Sequence, residues 1–298
     1  MCIYIIINKL HYNKLSIFLF SENSKFFYKL NKELNRFGIK VKILNFGNKI
    51  PNIPCLILTT SEELEKIKNP NENIVKILSY DKNEKFEKYI TRLLAAYRIG
   101  YEDNYSELIF SIDPGTKNIG LVIFLDNYYL NSHTFYDIEN LLKKIREYET
   151  YLQKNQISQI DLVFKIGMGV LETALEVVSN LFGQFKEFIN THVFLIDESK
   201  TSKIRIYSKE KKIPKHEVSA LILALRDGIE INKENYVKVF TDIKNKKIRL
   251  IHYNNHFHNN NDISLDVLKD LILKILNGEL SLTETYEKLI KLRIDKFE

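Results

Sequence analysis

The sequence predicts an α/β protein: a small three-layer α/β domain, then a mixed-sheet domain, then a short helical C-terminal appendage. Three observations predict it. Residues 1 to about 100 alternate short apolar runs with stretches of helical period, as a largely parallel sheet covered by helices would. Residues 107–135 instead hold three apolar runs joined by tight turns, the pattern of antiparallel strands. From residue 137 to residue 229 the alternation of helix and strand resumes.

In the first region, MCIYIIINKLHY has neither a basic leader nor a small-residue cleavage site, so it reads as a first strand rather than a signal peptide. Leu15–Phe20 is the next strand. Glu22–Phe37 reads as a helix with Phe26, Phe27, Leu30 and Leu34 on one face, closed by Gly38. Val41–Leu44, Cys55–Leu58 and Ile74–Leu78 read as strands. Thr60 or Ser61 can cap a short helix, and Phe86–Ile99 is a closing helix. There is no G-x-G-x-x-G, no phosphate loop and no acidic cluster, so residues 1–100 carry no stated chemistry.

Gly100–Ser106 is polar and aperiodic, a linker. The second domain, residues 107–232, opens with a strand ending at Asp113, the turn Pro114–Asn118 and a second strand from Ile119. Tyr128–Phe135 is the third strand, and Asp137–Leu152 a helix with Leu141, Leu142, Ile145 and Tyr148 on one side. Strand Ile160–Ile166, helix Leu171–Ile189, strand Thr191–Ile196 and helix Pro214–Ile229 follow. This order, three antiparallel strands and then α/β units that extend the sheet in parallel, is the ribonuclease H-like layout. It brings the strand ends at Asp113 and at Asp197–Glu198 to one edge. In residues 233–298, Tyr236–Phe240 and Ile248–His252 read as a hairpin across Asp242–Lys247. Asn254–Asp262 reads as a polar loop, and Leu265–Leu276 and Leu282–Leu292 as a helical pair suited to packing or dimerisation.

The chain has 298 residues, 45% hydrophobic and 28% charged, a soluble globular profile with length enough for two cores. No apolar run approaches a membrane span, and a cytoplasmic location fits. Cys2 and Cys55 give neither zinc spacing nor a disulfide framework. A net charge of +6 permits nucleic-acid binding.

Asp113 is the first candidate for chemistry. Asp, Pro and Gly are ordinary turn residues, but this carboxylate ends an uninterrupted apolar run, where a lone charge is costly unless paired. It also adjoins a turn rich in backbone N–H groups, a setting for a metal ion or a phosphate.

Three segments then resemble a known family. IFSIDPGTKNIGLVIF resembles the first motif of the RuvC-type Holliday-junction resolvases and the related YqgF proteins. HVFLIDESKTS resembles the YqgF strand that ends in an acidic pair, and KHEVSALILAL the superfamily's final helix. The likeness spans about residues 107–230. It implies a metal-dependent endonuclease that hydrolyses phosphodiester bonds of structured or branched DNA, or of RNA, with Mg²⁺ or Mn²⁺ as cofactor. The implied metal ligands are Asp113, Glu198, Asp197 and Glu217, and the implied catalytic set is Asp113, Glu198, Glu217 and His216. Because strand neighbours face opposite ways, Glu198 is expected to face the site and Asp197 to turn to a cap or a lysine. Dimerisation follows if the likeness to resolvases, which act on two-fold junctions, extends to function.

Three positions depart from the family. Lys165 stands where resolvases carry a glutamate, and His216 and Ser219 occupy the acidic positions of the last helix. His216–Glu217 after Pro214 also suits plain first-turn capping. Lys117, Lys200, Lys203, Arg205, Lys211, Lys212 and Lys215 form the expected phosphate-backbone contacts, unless the lysine-rich loop is only a solvated one. His252, His256 and His258 lack acidic or cysteine partners at metal spacing and read as a surface loop. Two alternatives stand beside the nuclease. One is a catalytically inactive module of the same fold that binds nucleic acid or protein. The other is an actin/sugar-kinase-type ATPase, which also opens on an Asp-x-Gly-Thr hairpin, here Asp113-Pro114-Gly115-Thr116. That class needs a second phosphate loop and an adenosine motif, and the sequence has neither.

Overall fold

The computed structural model describes residues 16–68, 70–99, 105–153, 159–185, 190–198, 206–208, 211–246 and 264–294. The chain divides into two compact units, residues 1–102 and 103–298. The expected first strand at MCIYIIINKLHY lies outside the described residues.

In the first unit, strands β1 (Ser16–Leu19), β2 (Lys42–Ile43), β3 (Cys55–Thr60) and β4 (Val75–Tyr80) form one sheet in the order β2-β1-β3-β4. All neighbours are parallel, as the alternating pattern predicts. Helix α1 (Ser24–Phe37) starts where the Asn23 side chain accepts from the Phe26 N–H, 3.0 Å away, and ends at Gly38, whose φ of 65° suits only glycine without strain. It buries Phe26, Leu30 and Leu34, four residues apart; Phe27, expected on the same face, is turned outward. The short helix expected after Thr60 is a single 3₁₀ turn, Leu64–Lys66, and α2 (Phe86–Ile99) closes the unit. The strand order reverses between β1 and β3, the usual ligand crevice of an open parallel sheet. Here Glu63 fills it. Burial alone would raise its carboxyl, but bonds from Ser21 Oγ, the Glu22 N–H and Thr60 Oγ1 outweigh that and hold it below the usual carboxylate range.

The second unit is built on six strands: β5 (Glu107–Pro114), β6 (Ile119–Leu125), β7 (Tyr128–Phe135), β8 (Asp161–Gly167), β9 (Thr191–Ile196) and β12 (Ile229–Ile231), in the order β12-β9-β8-β5-β6-β7. β5, β6 and β7 are mutually antiparallel, β8 and β9 extend the sheet in parallel from β5, and β12 closes the far edge antiparallel. The architecture is therefore mixed α/β, as expected. β10 (Tyr207–Ser208) and β11 (Lys211–Lys212) form a separate two-strand hairpin.

Alternation along β5 sorts the two faces. Phe110 stacks on Phe164 of β8, ring centroids 5.3 Å apart, and Phe164 meets Phe185 at the end of α4 (Leu171–Gln184). On the same face Asn131 and His133 of β7 bond the Tyr148 hydroxyl of α3 (Ile138–Gln153). The opposite face, with Ile109, Val122 and Val163, is covered by α5 (Lys215–Ala224) and by α7 (Leu265–Leu276) and α8 (Leu282–Ile294). The C-terminal pair thus shares the core of the sheet, with Leu271, Ile272, Ile275 and Leu289 inside it.

Two elements differ from the sequence reading. The helix expected over Pro214–Ile229 stops at Ala224, and the chain returns as β12. Gly228 permits the return: a Cβ there would lie 2.4 Å from the Leu195 carbonyl oxygen, so only glycine lets the chain pass β9 this closely. The strand expected at Tyr236–Phe240 is helix α6 (Tyr236–Lys244), primed by Asn232, whose side chain accepts from the N–H groups of Glu234 and Asn235. The paired strand at Ile248–His252 and the loop Asn254–Asp262 lie outside the described residues. Among the described residues no helix is long and apolar enough to cross a membrane.

Helix α5 rests directly on β6. A Cβ on Gly120 would come within 2.1 Å of the His216 carbonyl oxygen. Gly120→Ala is expected to lift the first turn of α5 and to destabilise the unit by ~3 kcal/mol or more, read as a fall in the urea midpoint.

Candidate active site

Four elements converge at one sheet edge. β5 delivers Asp113, six residues after Glu107 and on the same face as Ile109 and Ser111, where it is 6% exposed. The first turn of α5 delivers His216, whose Nδ1 lies 2.9 Å from Asp113 Oδ2. The segment leaving β9 delivers Glu198, whose carboxyl is hydrogen-bonded to that of Asp113. The loop after β8 closes the group, with the Gly169 N–H donating to Glu198. Cβ atoms at Gly167 and Gly169 would fall 2.1 and 2.0 Å from Glu198 oxygens. Only glycine leaves room for this carboxyl.

The electrostatics assign the proton. Burial raises both carboxyls above their ordinary values. Asp113 is eased back by the hydrogen bond and charge of His216, while the neighbouring Asp113 charge pushes Glu198 further, to about 7. The pair titrates as a unit, and Glu198 is the member that keeps its proton and donates it to Asp113.

The remaining predicted residues fall elsewhere. Asp197 faces Arg226, a buried guanidinium that also donates to the Asp197 carbonyl oxygen. The charge of Arg226 acts on Glu198 as well as on Asp197. Glu217 points to β7, accepting from Ser132 Oγ and from Thr134 Oγ1 at 2.8 Å, away from the Asp113 pair. Ser219 is buried inside α5. Lys165, the position where resolvases place a glutamate, donates to the carbonyl oxygens of Ala224 and Arg226 at 2.7 and 3.0 Å and so caps the C-terminal end of α5. Lys117 is exposed on the β5–β6 turn and Lys215 is exposed at the start of α5. Lys211 and Lys212 form β11, while Lys200, Lys203, Arg205, His252, His256 and His258 lie outside the described residues.

The structure thus brings Asp113, Glu198 and His216 together and leaves Asp197 and Glu217 out. Among the described residues no group of three His, Cys, Asp or Glu side chains is arranged to hold a metal ion. Gly167, Gly169 and Arg226 were not singled out by sequence reasoning. The only signal for the glycines is a Gly-x-Gly directly after an apolar strand, and Arg226 gave none.

No protein-family model matches the chain, and no curated protein does. Among solved structures, an exopolyphosphatase from Cytophaga hutchinsonii is 12% identical with a TM-score of 0.14 over 55% of this chain. The chain spans about half of that protein's length, 55%. A Ppx/GppA phosphatase from Aquifex aeolicus is 10% identical with a TM-score of 0.16, over 90% of this chain and 78% of the other. Such likenesses do not define this site, which is argued from its own residues. They do name phosphatases where the sequence motifs pointed to resolvases. The expected structure-selective endonuclease is corrected accordingly; of its expected residues Asp113, Glu198 and His216 meet, while Glu217 bonds β7 and Lys165 bonds the end of α5.

The carboxyl pair makes stability depend on pH. Glu198 ionises at about 7 when folded against an ordinary value of 4.5. Between these the folded state binds the extra proton, so its contribution is full below 4.5 and is lost as pH rises through 7. The metal-free protein is expected to melt at progressively lower temperature from pH 5 to about 7.5. Glu198→Gln should flatten that slope and gain about 2 kcal/mol over the parent at pH 8, measured by denaturant titration at both pH values.

Proposed function

We propose that residues 105–294 carry a phosphohydrolase site on a ribonuclease H-like sheet and that its substrate is a phosphoanhydride. The fold reading rests on strand order: three antiparallel strands, then two strands parallel to the first. The observation that carries the chemistry is the buried, proton-sharing Asp113–Glu198 pair, held by His216 and by the Gly169 N–H.

Two carboxyls that share a proton suit a site where a cation replaces that proton. Mg²⁺ is bound through one or two carboxylates plus substrate phosphate oxygens rather than by a closed protein cage, so a pair is sufficient where a trio is absent. Asp113 and Glu198 would hold Mg²⁺ or Mn²⁺, and the ion would neutralise charge on the reacting phosphoryl oxygens. The chain's own residues prepare the position. His216 fixes which Asp113 oxygen faces outward. Gly167 and Gly169 let Glu198 lie flat against the β8 end. The N-terminal end of α5 and the exposed amines of Lys117 and Lys215 supply positive potential for a phosphate chain. The sequence has no adenosine motif, so recognition is assigned to the phosphates rather than to a nucleoside.

The test is phosphate release from inorganic pyrophosphate, tripolyphosphate and ATP, with Mg²⁺, Mn²⁺ or chelator. Metal-dependent release is expected on at least one substrate, lost by at least about 100-fold in Asp113→Asn with the circular-dichroism spectrum unchanged. A folded protein that releases no phosphate from any of them sinks this reading.

A further inference from the structure

A second site lies at the other end of the same sheet face. A cavity of about 390 Å³ opens where β5 and β8 begin, within the size range of roughly 300–1,000 Å³ of small-molecule sites. It is ~20 Å from the Asp113 pair, since six strand residues separate Glu107 from Asp113. Ile109, Val163, Phe194, Leu225 and Leu282 form its apolar part, and Asn127 and Thr283 add neutral polar groups.

The polar groups that converge on it are unevenly charged. Glu107 lines the cavity, and among the described residues no side chain donates to its carboxyl. Asp227 is exposed on the opposite wall and accepts from the Tyr286 hydroxyl at 3.3 Å. Lys165 is the one ammonium group among the lining residues, and two of its three N–H donors are spent on the carbonyl oxygens of Ala224 and Arg226. His192 at the rim is already bonded to Glu230. The C-terminal end of α5, at Ala224, adds the negative end of a helix dipole. Lys165 acts on both Glu107 and Asp227, so two carboxyls and a helix C-terminus stand against a single ammonium, which leaves the cavity net negative. Aromatic rings of Phe194 and Tyr286 border the same space and favour a cation at their faces.

We propose that this cavity binds a small organic cation, a primary amine on an apolar stem, with the ammonium between Glu107 and Asp227 and the stem against Val163, Phe194 and Leu282. An anionic ligand would meet both carboxyls. A neutral one would leave Glu107 without a donor at the bottom of a filled pocket, which carries the cost of an unsatisfied buried polar group.

The experiment uses the full chain and three probes of one shape: phenethylamine, 2-phenylethanol and 3-phenylpropionate, measured by isothermal titration calorimetry at low salt. Saturable one-site binding is expected for the amine, with the alcohol and the acid at least about tenfold weaker. Glu107→Gln and Asp227→Asn are each expected to weaken the amine by about tenfold while melting like the parent. Val163→Phe, which fills the cavity, should abolish binding, and Asp113→Asn should leave it unchanged. Absence of amine binding, equal binding of the alcohol or acid, or amine binding that survives both carboxyl variants overturns the assignment. Because Asp113 is not involved, this result stands or falls separately from phosphate release.

Discussion

Helix α5 lies against the sheet with almost no gap at its first turn, where the His216 backbone passes over Gly120. Most features of the second unit depend on that contact. Sheet alternation then presents anchors along the helix. Ser111 Oγ donates to the Ala220 carbonyl oxygen at 2.6 Å, and Lys165, which pairs with Ser111 in register, grips the carbonyl groups at the helix end. The helix is pinned at its start, its middle and its end by residues on one face of β5, β6 and β8. A pinned helix is what lets a single histidine meet Asp113 at 2.9 Å, since a short α5 free to rock would not hold an imidazole to that distance.

Burying charges at both ends of this helix has a cost that the fold meets with specific partners. An isolated ionised carboxylate in such surroundings is untenable. Asp113 has His216, and Glu198 avoids ionisation by keeping its proton. The buried Arg226 lies within reach of the charges of both Asp197 and Glu198. Lys165 is stabilised by carbonyl dipoles instead of by a carboxylate in direct contact. Each arrangement is local and paired, so removing one member exposes the other to its full desolvation cost. This is the expected condition of a functional edge, where polar groups remain that a purely structural core would have replaced.

Asp113 was legible because it ends an uninterrupted apolar run, and Glu198 and His216 because their segments resemble motifs of the resolvase family. Strand alternation, from which Asp197 and Glu198 were expected to face opposite ways, does not reach them, since β9 ends at Ile196 and both act on Arg226. What stayed hidden depended on contacts between distant segments. Gly167 and Gly169 matter only once Glu198, some thirty residues later, folds back over them. Lys165 read as a lost catalytic position because its true partners, the carbonyl groups of Ala224 and Arg226, leave no mark in side-chain chemistry. The motif likeness to resolvases drew on Asp113, the acidic pair and a small-residue helix; of these only the last is what close packing of α5 over Gly120 requires. Local pattern also misled at α6, where Val237, Val239 and Phe240 imitate strand spacing while the turn chemistry of Asn232 starts a helix.

The same close packing bears on how the two ends of the face relate. Helix α5 is ten residues long, ~15 Å, with His216 in its first turn and Ala224 at its last. The close pass over Gly120 and the bonds from Ser111 and Lys165 hold α5 in place along its length. Displacement of the helix is therefore a poor route for one end to sense the other. Charge is the better one. A cation placed beside Glu107 and Asp227 acts on Lys165, and Lys165 and Arg226 both hold the turn that follows α5, next to Asp197. Any influence of the cavity on the carboxyl edge would run through these fixed charges and would weaken as salt screens them, leaving the helix where it is.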